Sequence, residues 1–213
     1  VSLPLSDALR VILKTSQNLH ATMLPPLVGA LRGRSADRDG GFQVMSEILG
    51  RAGLDPEAVI VGSGSGGSRA DHLSARWLVS LLRIMTARDD FPSWLEALPT
   101  GGEDGTLASH FRGPEFQGRV HAKTGTLVYR GALNDRWIYV SKSLAGYFDP
   151  GDPPDPARRI AFAIILAGAL TRTRQNGADD LVRVQEDILR AVLAAEADGV
   201  QVFVCAAGGA AHL

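Results

Sequence analysis

The chain has 213 residues and a formal net charge of −1, with 45% hydrophobic and 21% charged residues. These are ordinary globular values, so they argue against wholesale disorder, and the length suffices for one large domain or two small ones. The near-neutral charge argues against binding nucleic acid or a membrane surface through a broad basic field. A single cysteine, Cys205, excludes an internal disulfide.

Helical periodicity dominates the first half of the chain. Apolar spacing, glycine and proline positions and capping residues define the boundaries. A cap at Asp71 or Ser74 is expected for the strongest amphipathic helix. The predicted elements are, in chain order, a helix over residues 5–31 broken at Pro25-Pro26, an exposed loop over 32–41, a helix over 42–52, a short strand over 58–61, an amphipathic helix over 73–85 and a short helix or turn over 91–98.

From Val120 the sequence becomes rich in β-branched and aromatic residues, which favour strands. Three strands are predicted, over residues 121–129, 136–148 and 158–170, with turn sequences between them. A final helix is predicted over residues 179–195, with one apolar face formed by Leu181, Val184, Ile188 and Val192. Helices followed by strands and one more helix indicate an α+β fold with an antiparallel sheet.

A glycine loop follows the predicted strand at residues 58–61. Gly62, Gly64 and Gly67 fall on the spacing G-x-G-x-x-G, which is typical of a dinucleotide-binding turn. Such a site also needs a second strand and a helix that starts at the glycines. The sequence offers neither, because ARDDFPSW follows the next helix and SRAD precedes it. A structural turn is therefore favoured, and a dinucleotide-binding oxidoreductase using Gly62–Gly67 remains an alternative.

Two short motifs carry chemistry. Lys123-Thr124-Gly125 is a K-T-G motif that opens an apolar strand, and it uses one of only three lysines in the chain. Ser16 and Asn18 form an S-x-N motif on a helical segment. S-x-N alone is weak evidence for a catalytic site, since a polar pair on a helix face is common. The two motifs together match two of the three signatures of penicillin-recognising serine acyl-transferases, namely S-x-x-K, S-x-N and K-T-G.

Three longer segments also resemble segments of one family of these enzymes, in the same order and with approximately the same spacing: SGSGGSRADHLSARWLVSLL, LPTGGEDGTLASHFRG and SLAGYF. From Ser16 to the last helix the chain resembles the D-alanyl-D-alanine carboxypeptidase/endopeptidase family, the class C low-molecular-mass penicillin-binding proteins. The resemblance implies a partial β-lactamase/transpeptidase-like fold. Residues 1–196 would form the C-terminal part of that domain, and residues 197–213 would be a tail of unknown role.

The resemblance also implies catalytic roles. In this family a serine forms an acyl-enzyme with a peptide ending in D-Ala-D-Ala, and water then hydrolyses it. Ser16 Oγ would relay a proton toward the leaving amine, and Asn18 would hold the substrate amide. Lys123 would place positive charge beside the Ser16 hydroxyl and near the terminal carboxylate of the substrate.

The remaining implied roles concern binding. Thr124 and Thr126 would hydrogen-bond the substrate carboxylate, and Gly125 would let the substrate lie close to the strand. The backbone N–H of Thr126 would form half of an oxyanion hole. The implied partners are peptidoglycan stem peptides and, as inhibitors, β-lactams, in the cell envelope (periplasmic or extracytoplasmic). No cofactor or metal is expected, because the five histidines lack ligand spacing, and no apolar run is long enough to span a membrane.

The chain departs from the family pattern because it lacks the S-x-x-K motif: no serine has a lysine three residues later. The chain starts VSLPLSDALR without an initiator Met. We therefore expect it to be the C-terminal portion of a longer enzyme, inactive alone, with one sheet edge left open. The alternative is a non-catalytic relative that binds muropeptides or a protein partner. An upstream S-x-x-K distinguishes the two.

Overall fold

The computed structural model describes residues 4–197 of the chain. Apart from Ala197, the tail predicted over residues 197–213 lies outside them. The described residues divide at Leu98 and Pro99 into two compact units, a helical unit and a sheet unit. No helix within residues 4–197 is long and apolar enough to cross a membrane.

The helical unit holds five α-helices: α1 Leu5–Thr15, α2 Asn18–Leu31, α3 Arg38–Arg51, α4 Ala75–Thr86 and α5 Phe91–Ala97. The predicted break at Pro25-Pro26 is wrong, because α2 runs through both prolines. An interior proline costs a helix roughly 3 kcal/mol. Packing against α3 offsets this, since a side chain at Gly41 would collide with the Pro25 carbonyl.

Two other predictions in this unit need correction. The loop predicted over residues 32–41 ends early, because the Asp37 side chain caps α3 by accepting a hydrogen bond from the Gly40 N–H at 2.8 Å. The strand predicted over residues 58–61 is wrong: a 3₁₀ turn spans Pro56–Ala58, and Ile60 forms only an isolated bridge with His72. Of the two candidate caps for α4, Ser74 accepts from the Trp77 N–H.

The sheet unit has four antiparallel strands: β1 Val120–Arg130, β2 Trp137–Phe148, β3 Ile160–Leu166 and β4 Ala169–Thr171. The order is β1-β2-β3, and β4 pairs with the start of β2. The prediction of antiparallel strands after residue 120 is confirmed. The third predicted strand is two strands, because Gly168 has a positive φ of 78° and turns the chain between them.

One long helix, α6 Arg174–Ala197, packs on the sheet and begins five residues before its predicted start at Asp179. Its buried face also differs from the predicted one: Leu181, Val182 and Leu189 are buried, whereas Val184 is 37% exposed. The sheet determines this face, because the helix contributes to one core with strand residues. That core contains Leu107, Phe111, Phe116, Val120, Ala122, Leu144, Phe148, Phe162, Ile164, Val182 and Leu189.

Candidate active site

The K-T-G motif lies on β1, whose two edges differ. One edge pairs with β2 along the whole strand. At the start of the other edge, the Ala122 N–H donates to the Pro99 carbonyl at 2.9 Å. Because strand amides alternate in direction, the N–H groups of Thr124 and Thr126 point to this same edge. Within residues 4–197 no strand pairs with β1 there beyond the isolated bridge at His121.

The Lys123 side chain places its ammonium group at this edge. Its Nζ donates to the Thr124 carbonyl oxygen at 2.7 Å, and that carbonyl points to the same edge as the Thr124 N–H. Burial lowers the pKa of Lys123 from its usual 10.5 to about 8, because an ammonium group loses solvation when it is covered. At neutral pH the side chain is still mostly charged, and an anion beside it would recover part of the lost solvation.

The other predicted binding residues follow Lys123 on the strand. The Thr124 and Thr106 hydroxyl oxygens are hydrogen-bonded at 2.9 Å. Gly125 faces Ser143 of β2, and a side chain at Gly125 would collide with the Ser143 hydroxyl. Thr126 is exposed, so its hydroxyl and its outward N–H are both available to a ligand at the open edge. The structure thus brings four predicted residues together on one strand.

Ser16 and Asn18 lie in the helical unit, at a junction rather than within one helix as predicted. Ser16 is the C-cap of α1 and has left-handed backbone angles, φ 57° and ψ 50°. Asn18 is the first residue of α2 and is exposed. A non-glycine residue at positive φ costs free energy and is often found at functional sites. The sharp turn between the helices presents both side chains at helix ends.

Sequence reasoning missed two residues beside the motif. Thr106 contacts Thr124 from the turn Gly105–Leu107, and the only signal for it was the segment GGEDGTL. Lys142 on β2 lies directly opposite Thr126, and its Nζ donates to the Thr126 hydroxyl at 3.3 Å. The scarcity of lysine was a signal for Lys142, but its position depends on strand register.

The glycine loop is closed by an internal carboxylate. Asp71 accepts hydrogen bonds from the N–H groups of Gly62 at 2.5 Å, Ser63 at 3.3 Å and Ser68 at 3.1 Å. These are the kind of donors that a pyrophosphate would need. In addition, Gly64 packs against α2 so closely that a side chain would meet the Ala21 carbonyl at 2.6 Å. The loop is a structural turn, as favoured from the sequence.

The described residues contain no group of three His, Cys, Asp or Glu side chains that could hold a metal ion. The functional groups at the two motifs are the Ser16 and threonine hydroxyls, the Lys123 ammonium and backbone amides of β1. The sequence also matches a known family. The model of the D-Ala-D-Ala carboxypeptidase 3 (S13) family matches residues 1–188. The chain belongs to this family.

Individual relatives agree. The chain is 32% identical to a D-alanyl-D-alanine carboxypeptidase of Actinomadura sp. over 78% of its own length and 29% of the relative's. Its structure matches penicillin binding protein 4 of Haemophilus influenzae with a TM-score of 0.64 and 26% identity, over 78% of this chain and 34% of that one. The TLA-1 extended-spectrum β-lactamase shares the fold, with a TM-score of 0.60 at 13% identity over 91% of this chain and 66% of that one.

These matches establish the family and a mixed helix and antiparallel-sheet fold shared with β-lactamases. The chain spans about a third of the length of the carboxypeptidase relatives it matches. The resemblance seen in the sequence and the expected fold class are confirmed.

Proposed function

We propose that the protein containing this chain is a serine D,D-carboxypeptidase/endopeptidase that cleaves the D-Ala-D-Ala bond of peptidoglycan stem peptides through an acyl-enzyme. The observation that carries the proposal is the open edge of β1, where the K-T-G strand presents a cation, a hydroxyl and outward amides side by side. Family membership supports it. The same edge is available to a peptide because antiparallel strands recognise one another through their backbones.

The chain supplies candidate residues for substrate binding, oxyanion stabilisation and proton transfer. The peptide would lie along β1 with its terminal carboxylate near the Lys123 ammonium, held by the Thr124 and Thr126 hydroxyls. A serine oxygen would attack the carbonyl of the penultimate D-Ala, and the Thr126 N–H would stabilise the oxyanion, a donor that is worth about 3 kcal/mol in such sites. As the C–N bond breaks, the Ser16 hydroxyl would relay the proton lost by the attacking serine to the leaving D-Ala amine, and Asn18 would hold the substrate amide. Water would then hydrolyse the acyl-enzyme.

The nucleophile needs a separate proposal. No serine among the 213 residues begins an S-x-x-K motif, so we propose that the nucleophile belongs to another part of the same protein. A β-lactam complex of the Haemophilus influenzae neighbour supports β-lactams as inhibitors of this protein as well. Peptidoglycan lies outside the cytoplasmic membrane, so the proposed substrate implies a cell-envelope location, periplasmic or extracytoplasmic.

The test is covalent labelling of the full-length gene product with a fluorescent penicillin. We expect labelling at a serine followed three residues later by lysine, and its loss in Lys123→Ala. Arg130→Ala is the matched control, because Arg130 is an exposed cation at the far end of the same strand. A full-length sequence without S-x-x-K would overturn the enzyme proposal and leave a module that binds muropeptides or a protein partner.

A further inference from the structure

A buried lysine on β2, Lys142, lies directly opposite Thr126 of β1. Lys142 is only 9% exposed, and its Nζ donates to the Thr126 hydroxyl. Within residues 4–197 no carboxylate lies within ion-pair distance of this ammonium. Burying an unpaired cation is costly, and an apolar side chain of similar length would stabilise the sheet better. Packing alone therefore does not account for a lysine at this position.

The surroundings of Lys142 are polar on one side. A cavity of about 480 Å³ opens beside it between α6 and the chain around Ser109. The charged and titratable groups that line this cavity are Asp179, Arg183 and Glu186 of α6 and His110 of the preceding loop. Burial lowers the pKa of Lys142, and the charge of Asp179 acts in the opposite direction. Asp179 thus helps keep the ammonium protonated without forming a close ion pair.

The hydrogen bond from Lys142 has a fixed direction. An ammonium group has three donors and no acceptor, whereas a hydroxyl has one donor and two acceptor positions. The Thr126 hydroxyl must therefore accept from Lys142, and its own O–H cannot point back to that nitrogen. The O–H remains available to an acceptor elsewhere. A cation that donates to a hydroxyl also polarises it, which strengthens the bond that the hydroxyl donates in turn.

We propose that Lys142 is a positioning residue that orients the Thr126 hydroxyl as a hydrogen-bond donor to the carboxylate of the bound D-Ala-D-Ala peptide or β-lactam. This inference rests on the proposed function of the β1 edge. Lys142 does not touch the substrate. It acts only through the Thr126 hydroxyl.

The test compares penicillin acylation rates of full-length variants. In Lys142→Met the side chain keeps its approximate size and loses its donor and charge, and we expect the rate to fall about tenfold, the value of one charge-assisted hydrogen bond. Lys142→Arg keeps a cationic donor and should retain most of the rate. Arg183→Met is the matched control: it removes a cation that lines the same cavity but is 76% exposed.

A double-mutant cycle distinguishes positioning from a general structural role. If Lys142 acts through Thr126, adding Lys142→Met to Thr126→Val should cause no further loss of rate. Additive losses would contradict the inference, as would a wild-type rate in Lys142→Met. If Lys142→Met does not fold, Lys142→Gln replaces it, with a partial loss expected because an amide can also accept a hydrogen bond. A folded Lys142→Gln with the wild-type rate would again overturn the inference. No acylation of the wild type would instead overturn the proposed function.

Discussion

The glycine loop and the K-T-G strand differ in what becomes of their backbone donors. In the loop, one carboxylate, Asp71, accepts from three amides and from the Ser63 hydroxyl. On β1, the amides of Thr124 and Thr126 point to an edge that no strand of the described residues covers. The glycine loop matches the spacing of a dinucleotide-binding turn, yet its backbone donors are already bonded to Asp71. Availability of donors, more than resemblance to a pattern, separates a binding site from a turn.

Removal of the Asp71 carboxylate should cause the largest loss in the free energy of unfolding. Asp71→Ala leaves four donors without their acceptor, and partial access of water limits the loss to about 3 kcal/mol in the free energy of unfolding. Urea denaturation followed by circular dichroism measures it. Asp89→Ala is the control, since Asp89 is exposed on the same unit. Equal stability of the two variants would show that Asp71 does not hold the loop.

Substitutions at the glycines provide a sharper test of whether the loop is a structural turn. At Gly64 an added methyl group would meet the Ala21 carbonyl at 2.6 Å, whereas at Gly67 the nearest atom is the Ser65 hydroxyl at 3.4 Å. We expect Gly64→Ala to cost about 2 kcal/mol and Gly67→Ala to change the free energy of unfolding by less than about 0.5 kcal/mol. A dinucleotide turn would instead need its third glycine. A large loss in Gly67→Ala would contradict the structural explanation.

Local motifs were predictable and register was not. Lys123, Thr124 and Gly125 are adjacent in sequence, so their shared strand followed from the motif. The pairing of Thr126 with Lys142 depends on a bulge at Leu127/Val128, where the register of β1 and β2 shifts by one residue. Counting back from the hairpin turn without that shift pairs Thr126 with Ser141, and one residue of slip moves a side chain to the opposite face. Tertiary packing likewise kept α2 helical through two prolines.

The charge of Lys123 should appear in the pH dependence of stability. Its folded pKa of about 8 lies below the usual 10.5, so between these values the unfolded chain binds more protons than the folded chain. Stability therefore rises with pH across this window. We expect Lys123→Met to remove about 1.5 kcal/mol of this rise, a value that allows for solvent screening of a partly covered group. The lowered pKa of Lys142 contributes in the same direction.

Urea denaturation at several pH values between 7 and about 10.5 measures the effect, with Lys14→Met as the matched control. Lys14 donates to the Leu98 carbonyl in the helical unit. A Lys123→Met protein with the wild-type slope would mean that this ammonium is well solvated, and the proposed attraction for a substrate carboxylate would then be weak.

Ser16 should show the smallest change in stability and a clear separation between stability and activity. Its φ of 57° suits glycine. Alanine keeps the strain and loses the hydroxyl, so Ser16→Gly should be more stable than Ser16→Ala by about 1 kcal/mol in thermal and urea unfolding. Penicillin acylation of the full-length protein should fall in both variants, because both lack the proposed proton relay. If Ser16→Gly acylates at the wild-type rate, the left-handed serine is only a helix cap, and the proton must reach the leaving group by another residue.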